Sequence, residues 1–127
     1  MTASAITGLG QIAINVHDVA RAKTFYRDAL GLQHLFDAGP KLTFFQCGAV
    51  RLMLSTAEKP EFDHPGSILY YQVADIHAAH RDLVAKGVRF EDAPHLIAPM
   101  PDHDLWMAFA RDTEGNLFGV MAEMAKA

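Results

Sequence analysis

The chain has 127 residues, half of them hydrophobic and a fifth charged, with a formal net charge of −4 from 11 basic and 15 acidic residues. That is the composition of one globular domain, without the basic block that nucleic acid requires or the run of roughly 20 apolar residues a membrane helix needs. The first ten residues lack the charged and apolar regions of a secretion signal, and the only cysteine, Cys47, cannot form an intrachain disulfide, so a cytoplasmic location is expected.

Residues 11–16 alternate, with Ile12, Ile14 and Val16 on one face and Gln11, Ala13 and Asn15 on the other, which predicts a strand. Asp18 suits an N-cap. Val19, Ala22, Phe25, Tyr26, Ala29 and Leu30 then recur at helical spacing, and Gly31 suits the position just past the helix end. Strands are expected over 33–36, 42–46 and 50–55, with turns at Gly39-Pro40 and Cys47-Gly48. Residues 57–66, with Pro60 and Pro65, read as a linker.

The pattern then repeats. Gln72-Val73-Ala74-Asp75-Ile76 answers Asn15-Val16-His17-Asp18-Val19. Leu69, Tyr71 and Val73 match Ile12, Ile14 and Val16, while Ile68, Tyr70 and Gln72 match Gln11, Ala13 and Asn15. Ile76, Ala79, Leu83 and Val84 give a second helix its apolar stripe, Gly87 ends it, and strands follow over 88–90, 105–111 and 117–122. The copies differ at 91–104, where Pro94, Pro99 and Pro101 accompany His95, Asp102, His103 and Asp104. A segment of this length reads either as a lid or as a surface excursion stiffened by proline.

A βαβββ unit repeated in this way, with Ala13-Ile14-Asn15-Val16-His17-Asp18-Val19-Ala20-Arg21-Ala22, Phe25-Tyr26 and Leu30-Gly31-Leu32, resembles the vicinal oxygen chelate superfamily of glyoxalase, bleomycin-resistance and extradiol dioxygenase proteins. Arg111-Asp112-Thr113-Glu114-Gly115-Asn116 resembles that family's Asp-Pro-x-Gly-Asn turn, with Thr113 in place of proline. The resemblance implies an α+β fold in one domain over 1–127. Tandem βαβββ modules, 9–56 and 67–122, would form a curled eight-stranded mixed sheet around a cleft, with both helices on the outer face. It also implies a homodimer.

Metal-dependent members place one His, Gln or Glu on the inner face of the first and last strands of each module. In this sequence those positions fall on Gln11, Met53, Ile68 and Gly119, and only Gln11 offers a donor suited to a borderline divalent ion. No bound metal or other cofactor is therefore expected. Among the seven histidines, His77 and His80 read as a solvated helix pair, and His95 and His103, with Asp102 and Asp104, form the one alternative metal or acid–base group.

The inner face implied by the resemblance carries Gln11, Asn15, Arg51, Met53, Ile68, Tyr70 and Gly119, a mixed lining suited to a small organic ligand with an anionic or carbonyl group. Arg51 reads as its anion partner or as an exposed strand-end residue. Trp106 reads as a stacking platform or as a packing residue, and Phe25, Tyr26, Phe44, Phe45 and Phe109 as core. No nucleophile motif and no phosphate-binding glycine loop is evident. The expected function is binding of a small molecule without metal. The alternative is a glyoxalase-type lyase or isomerase using Gln11 and the 91–104 segment, with His95, His103 and Tyr70 as candidate catalytic residues. A third reading is a plain dimeric interaction protein.

Overall fold

The computed structural model describes residues 5–126. Residues 1–4, part of the stretch read as carrying no signal, and residue 127 lie outside the described residues. Strand β1 (Gln11–Asn15) leads into helix α1 (Val19–Thr24), capped by Asp18, whose Oδ1 accepts from the Arg21 N–H at 2.9 Å. The helix continues as a π turn over Phe25–Ala29, closed by the Leu30 N–H on the Phe25 carbonyl, and Gly31 at φ 73° reverses the chain. Strands β2 (Gln33–Asp37), β3 (Leu42–Cys47) and β4 (Val50–Ser55) complete a first sheet in the order β1-β4-β3-β2.

The second half has one strand more. Strand β5 (Leu69–Gln72) precedes α2 (Ile76–Ala85), whose cap Asp75 accepts from the His77 and Ala78 N–H groups, and Gly87 at φ 89° ends it. Strands β6 (Arg89–Phe90), β7 (His95–Pro99), β8 (Asp104–Arg111) and β9 (Leu117–Met124) follow. Strand β5 pairs parallel with β9, and β9 antiparallel with β8, as β1 pairs with β4 and β4 with β3.

Two expectations need correction. The 91–104 segment is not all loop, since His95–Pro99 form strand β7. Strands β6 and β7 both pair with the same side of β8, Phe90 facing Ala110 and His95 facing Met107. Between them the Glu91 N–H donates to the Phe109 carbonyl at 2.7 Å and Asp92 Oδ1 accepts the Phe109 N–H at 2.8 Å, so a side-chain oxygen stands in for the ladder carbonyl there.

The strands also form two sheets, of four and five strands, rather than one sheet of eight. The edges β1 and β5 do not pair. The Asn15 carbonyl instead accepts from the Asn116 side chain at 3.0 Å, and a cavity separates the two edges.

The core lies on the helix-bearing sides of both sheets. Val16, Ala22, Tyr26, Phe45, Leu52 and Leu54 form one buried cluster, with Leu69 and Tyr71 of the second half packed against it. Ala29, Leu83, Val88, Ala110, Phe118 and Val120 form the other, with Phe25 and Leu30 of the first half packed in. Each fully buried leucine among them stabilises the fold by about 1.5–3 kcal/mol relative to exposure. Asp112 is buried between the halves. It accepts from Tyr26 Oη at 2.7 Å, from the Glu114 and Asn116 backbone N–H groups, and from the Asn116 amide. Burial, with the Tyr71 and Asp112 oxygens close by, pushes the Tyr26 phenol far above its ordinary range. Among the described residues no helix is long and apolar enough to cross a membrane.

Candidate functional site

Because Ile12, Ile14, Leu52 and Leu54 face the helices, the two-residue period turns Gln11, Ala13, Asn15, Arg51, Met53 and Ser55 to the opposite, inner face of the first sheet. The β3 register adds Leu42, Phe44 and Gln46, and a bulge after His34 brings Phe36 opposite Phe44. The rings of Phe36 and Phe44 stack at 4.6 Å and 23°, and Phe36 is 47% exposed. Arg51 lies with its guanidinium carbon 5.7 Å from the Phe44 ring centre, and its Nε donates to Gln11 Oε1 at 3.1 Å. Among the described residues no carboxylate pairs with it.

Two adjoining cavities flank β1. One, of about 330 Å³, lies over Ala13, Asn15, Leu42, Met53 and Ser55 and is walled by Thr56 and by Ala57, Glu58, Phe62, His64 and Gly66 of the linker. The other, of about 610 Å³, occupies the seam between β1 and the start of β5 and β9, with Ile68, Tyr71 and Leu117 on its far side. Ala13, Asn15, His64 and Gly66 line both. Two buried atoms of this lining, Asn15 Oδ1 and the Tyr71 hydroxyl, find no hydrogen-bond partner among the described residues.

Asp63 organises the boundary between the cavities. Its Oδ1 accepts from Asn15 Nδ2 at 2.8 Å and from His17 Nε2 at 2.7 Å. The bond and charge of Asp63 raise the His17 pKa, and His17 followed by Asn15 holds the Asp63 carboxyl below its ordinary range. His64 engages the Pro65 carbonyl through Nδ1 at 3.0 Å, which leaves Nε2 as an acceptor in the neutral ring.

Nearby, the Glu114 side chain is 1% exposed and joins the 111–116 turn to the start of α1. Its oxygens accept from the His17 and Asp18 N–H groups, from Arg21 twice and from the Thr113 hydroxyl. Burial by itself would raise its pKa. The Arg21 guanidinium and these donors outweigh burial and hold it at about 2.

The residues singled out in the sequence separate into four places. Gln11, Asn15, Arg51 and Met53 share the inner face of the first sheet. Ile68 lines the seam. Tyr70 and Gly119 face each other on the inner face of the second sheet, with the Tyr70 ring edge-on to Phe109.

Trp106 does not line a cleft. It stands out of phase with Phe109 and Met107 on β8 and meets His77 of α2 edge-on at 5.1 Å, so it packs on the helix side. His77 and His80 are correspondingly not a bare surface pair, since His80 meets Phe90 at 4.5 Å.

His95 and His103 stand at opposite ends of the β7–β8 hairpin. His95 engages the Ala93 carbonyl and lies 3.5 Å from Asp92, while His103 engages Asp102 and lies 4.0 Å from Glu123. No three His, Cys, Asp or Glu side chains among the described residues converge as metal ligands.

The four inherited positions do not suit a divalent ion. Gln11 is committed to Arg51 and, at 3.7 Å, to the Met53 sulfur. Ile68 carries no donor. At Gly119 a Cβ would already stand 2.7 Å from the Tyr70 ring, which occupies the space where a ligating side chain would extend.

Sequence reasoning missed the aromatic pair and the linker. Phe44 shares its face with Leu42 and Gln46, so strand phase alone could have placed it on the inner face. Phe36 arrives there only through the bulge. Phe62, Asp63 and His64 carried no motif, only a position between two prolines.

A family model described as the Glyoxalase/Bleomycin resistance protein/Dioxygenase superfamily matches residues 8–120. Among solved structures, a member of that superfamily from Sphaerobacter thermophilus DSM 20745 superposes with a TM-score of 0.77 at 24% identity, covering 93% of this chain and 98% of its own. TnmS3, an antibiotic binding protein from Streptomyces sp. CB03234, gives 0.74 at 23% identity with 95% and 99% covered. A lactoylglutathione lyase from Agrobacterium tumefaciens gives 0.69 at 20% identity with 94% and 96% covered. No curated protein matches the chain. At these identities the solved structures establish the fold alone.

Proposed function

The chain belongs to the glyoxalase/bleomycin resistance protein/dioxygenase superfamily, and on that footing we propose that it binds a small organic ligand on the inner face of the first sheet, without the divalent metal of its metal-dependent relatives. The observation that carries this reading is Arg51. It is an exposed cation with no carboxylate partner among the described residues, set beside a stacked aromatic pair and two residues from the cavity floor at Met53. A guanidinium so placed recognises a carboxylate, sulfonate or polarised carbonyl through charge-assisted bonds. Phe36 and Met53 offer a planar apolar body its contact surface, with the buried Phe44 ring behind Phe36.

The likeness to an antibiotic binding protein supports a sequestering role. The lyase or isomerase alternative has less support, because its acid–base candidates His95 and His103 stand apart on the second sheet and Gln11 lies on the first. A homodimer in the cytoplasm completes the proposal. The exposure of Phe36, Ile68 and Tyr70 on the inner sheet faces supports a second copy closing the cleft.

Two fluorescent probes that differ by one sulfonate test it: 8-anilinonaphthalene-1-sulfonate and the uncharged N-phenyl-1-naphthylamine. Arg51→Ala should weaken the sulfonate probe at least tenfold, as loss of a charge-assisted bond worth about 1.5–3 kcal/mol implies, and leave the neutral probe unchanged. Chelator should change neither affinity. Equal affinities for the sulfonate probe in both proteins would overturn the assignment of Arg51, and binding that disappears with chelator and returns with Zn or Ni would overturn the metal-free reading.

A further inference from the structure

We propose that residues 57–66 are not a passive connection between the halves but a hinged strap over the ligand cavity, with Asp63 as the positioning residue that latches it shut. This rests on the binding reading above and adds to it the group that controls access.

The linker is chemically unlike the surface loops that hold a fold together. Among the described residues, every hydrogen bond from 57–66 to either sheet runs through the Asp63 carboxylate, to Asn15 on β1 and to His17 at the entrance of α1. The other bonds of the segment are internal. The Phe62 and Asp63 N–H groups close a 3₁₀ turn on Lys59 and Pro60, Lys59 lies 5.8 Å from the Phe62 ring centre, and His64 binds the neighbouring Pro65 carbonyl.

Phe62 and His64 nonetheless wall the cavity above Met53 and Ala13, and His64 and Gly66 form the partition between that cavity and the seam. A segment that walls a site along its length but is fastened at one side chain can swing when that fastening breaks. Prolines 60 and 65 flank the latch and keep the strap stiff, so it moves as a body.

Releasing the latch would do two things to the site. It would free the Asn15 amide, which lines both cavities and whose Oδ1 already lacks a partner. It would also withdraw the His64 partition, joining the 330 Å³ and 610 Å³ cavities into one cleft able to admit a larger ligand. The closed strap thus sets both the entry rate and the upper size of what is retained.

The latch is also proton-sensitive. The groups facing His17 are Asp63 from the strap, Glu114 from the 111–116 turn, and Arg21 from α1. Asp63 in turn faces His64, and Glu58 and Lys59 share the surface hollow beside His17 and Asp63. Because the folded-state pKa of His17 is raised above 6.5, the charge-assisted latch is complete below that value and weakens as the pH rises through the higher, folded value.

The test uses the full-length protein with 8-anilinonaphthalene-1-sulfonate, its release followed by stopped flow between pH 6 and pH 9, and amide hydrogen exchange across 57–66 in parallel. Wild type should release the probe faster as the pH rises. Asp63→Ala and His17→Gln should each release it about three- to fivefold faster than wild type at pH 6, the range for losing an exposed ion pair, and should show no further rise with pH. Exchange across 57–66 should accelerate in both variants while that of β3 and β4 stays unchanged.

A wild-type release rate flat from pH 6 to pH 9 and equal to that of both variants would overturn the latch. If the probe does not bind at all, the binding reading fails, and the exchange comparison alone then decides the strap: unaltered exchange in both variants would sink it.

Discussion

Glu114→Gln isolates the one carboxylate that joins the two halves at the entrance of α1. In the folded chain its side chain is 1% exposed and accepts five hydrogen bonds, two from Arg21 and one each from His17 N–H, Asp18 N–H and the Thr113 hydroxyl. A carboxyl held at about 2 in the fold and titrating at 4.5 when unfolded contributes about 3 kcal/mol at neutral pH. The sign follows from the depressed folded value. The contribution is complete above pH 4.5 and is lost as the pH falls through about 2.

Glutamine keeps the shape, removes the charge opposite Arg21 and turns an N–H₂ toward groups that are themselves donors. Urea unfolding at pH 7 should show the variant less stable by about 3 kcal/mol, with an unchanged m-value, and thermal melting should fall by roughly 10 °C. At pH 2 the wild-type carboxyl is about half protonated and only about 0.4 kcal/mol of its contribution survives, so most of the gap between the proteins should close. A midpoint unchanged at pH 7, or a gap of full size at pH 2, would refute the claim that charge at this position fastens the halves together.

Two further substitutions probe the packing between and within the halves. Tyr26→Phe removes the 2.7 Å bond to buried Asp112 but leaves that carboxylate three other donors, so a loss of about 1–3 kcal/mol is expected in urea unfolding, and a loss below 0.5 kcal/mol would show that the phenol contributes only its ring. Gly119→Ala sets a methyl group 2.7 Å from the Tyr70 ring and should cost about 1–3 kcal/mol. In a Tyr70→Ala background most of that cost should vanish, and a double-mutant cycle showing additive effects would mean that the ring is not what the methyl meets.

Much of the architecture is local and was therefore legible. Asp18 and Asp75 cap their helices because each stands between an extended residue and an apolar stripe, and Gly31 and Gly87 adopt the positive φ that ends both. Alternation in β1 and β5 assigned Ile12, Ile14, Leu69 and Tyr71 to the core side, where they are found. It assigned Gln11, Asn15 and Tyr70 to the opposite face by the same arithmetic.

The site was legible only in part, because what completes it is not periodic. A bulge near Leu35 turns Phe36 onto the Phe44 ring, and no pattern of apolar spacing announces a bulge. Trp106 reads in the sequence as either a stacking platform or a packing residue, because nearness to the 91–104 segment does not give its phase along β8, which turns it to His77.

Composition, alternation and capping thus determined by themselves both helices, most of the strands and which face of each is apolar, while the resemblance, not periodicity, supplied the four metal positions that were then read for donors. The elements and their faces depend on residues adjacent in sequence or a turn apart. Whether the edges of β1 and β5 would join, where His95 and His103 would stand, and that Asp63 would reach across to Asn15 and His17 were decided only by tertiary structure. Each is a contact between segments far apart in the chain. A carboxylate's partner there depends on how two halves dock rather than on what surrounds it in the sequence.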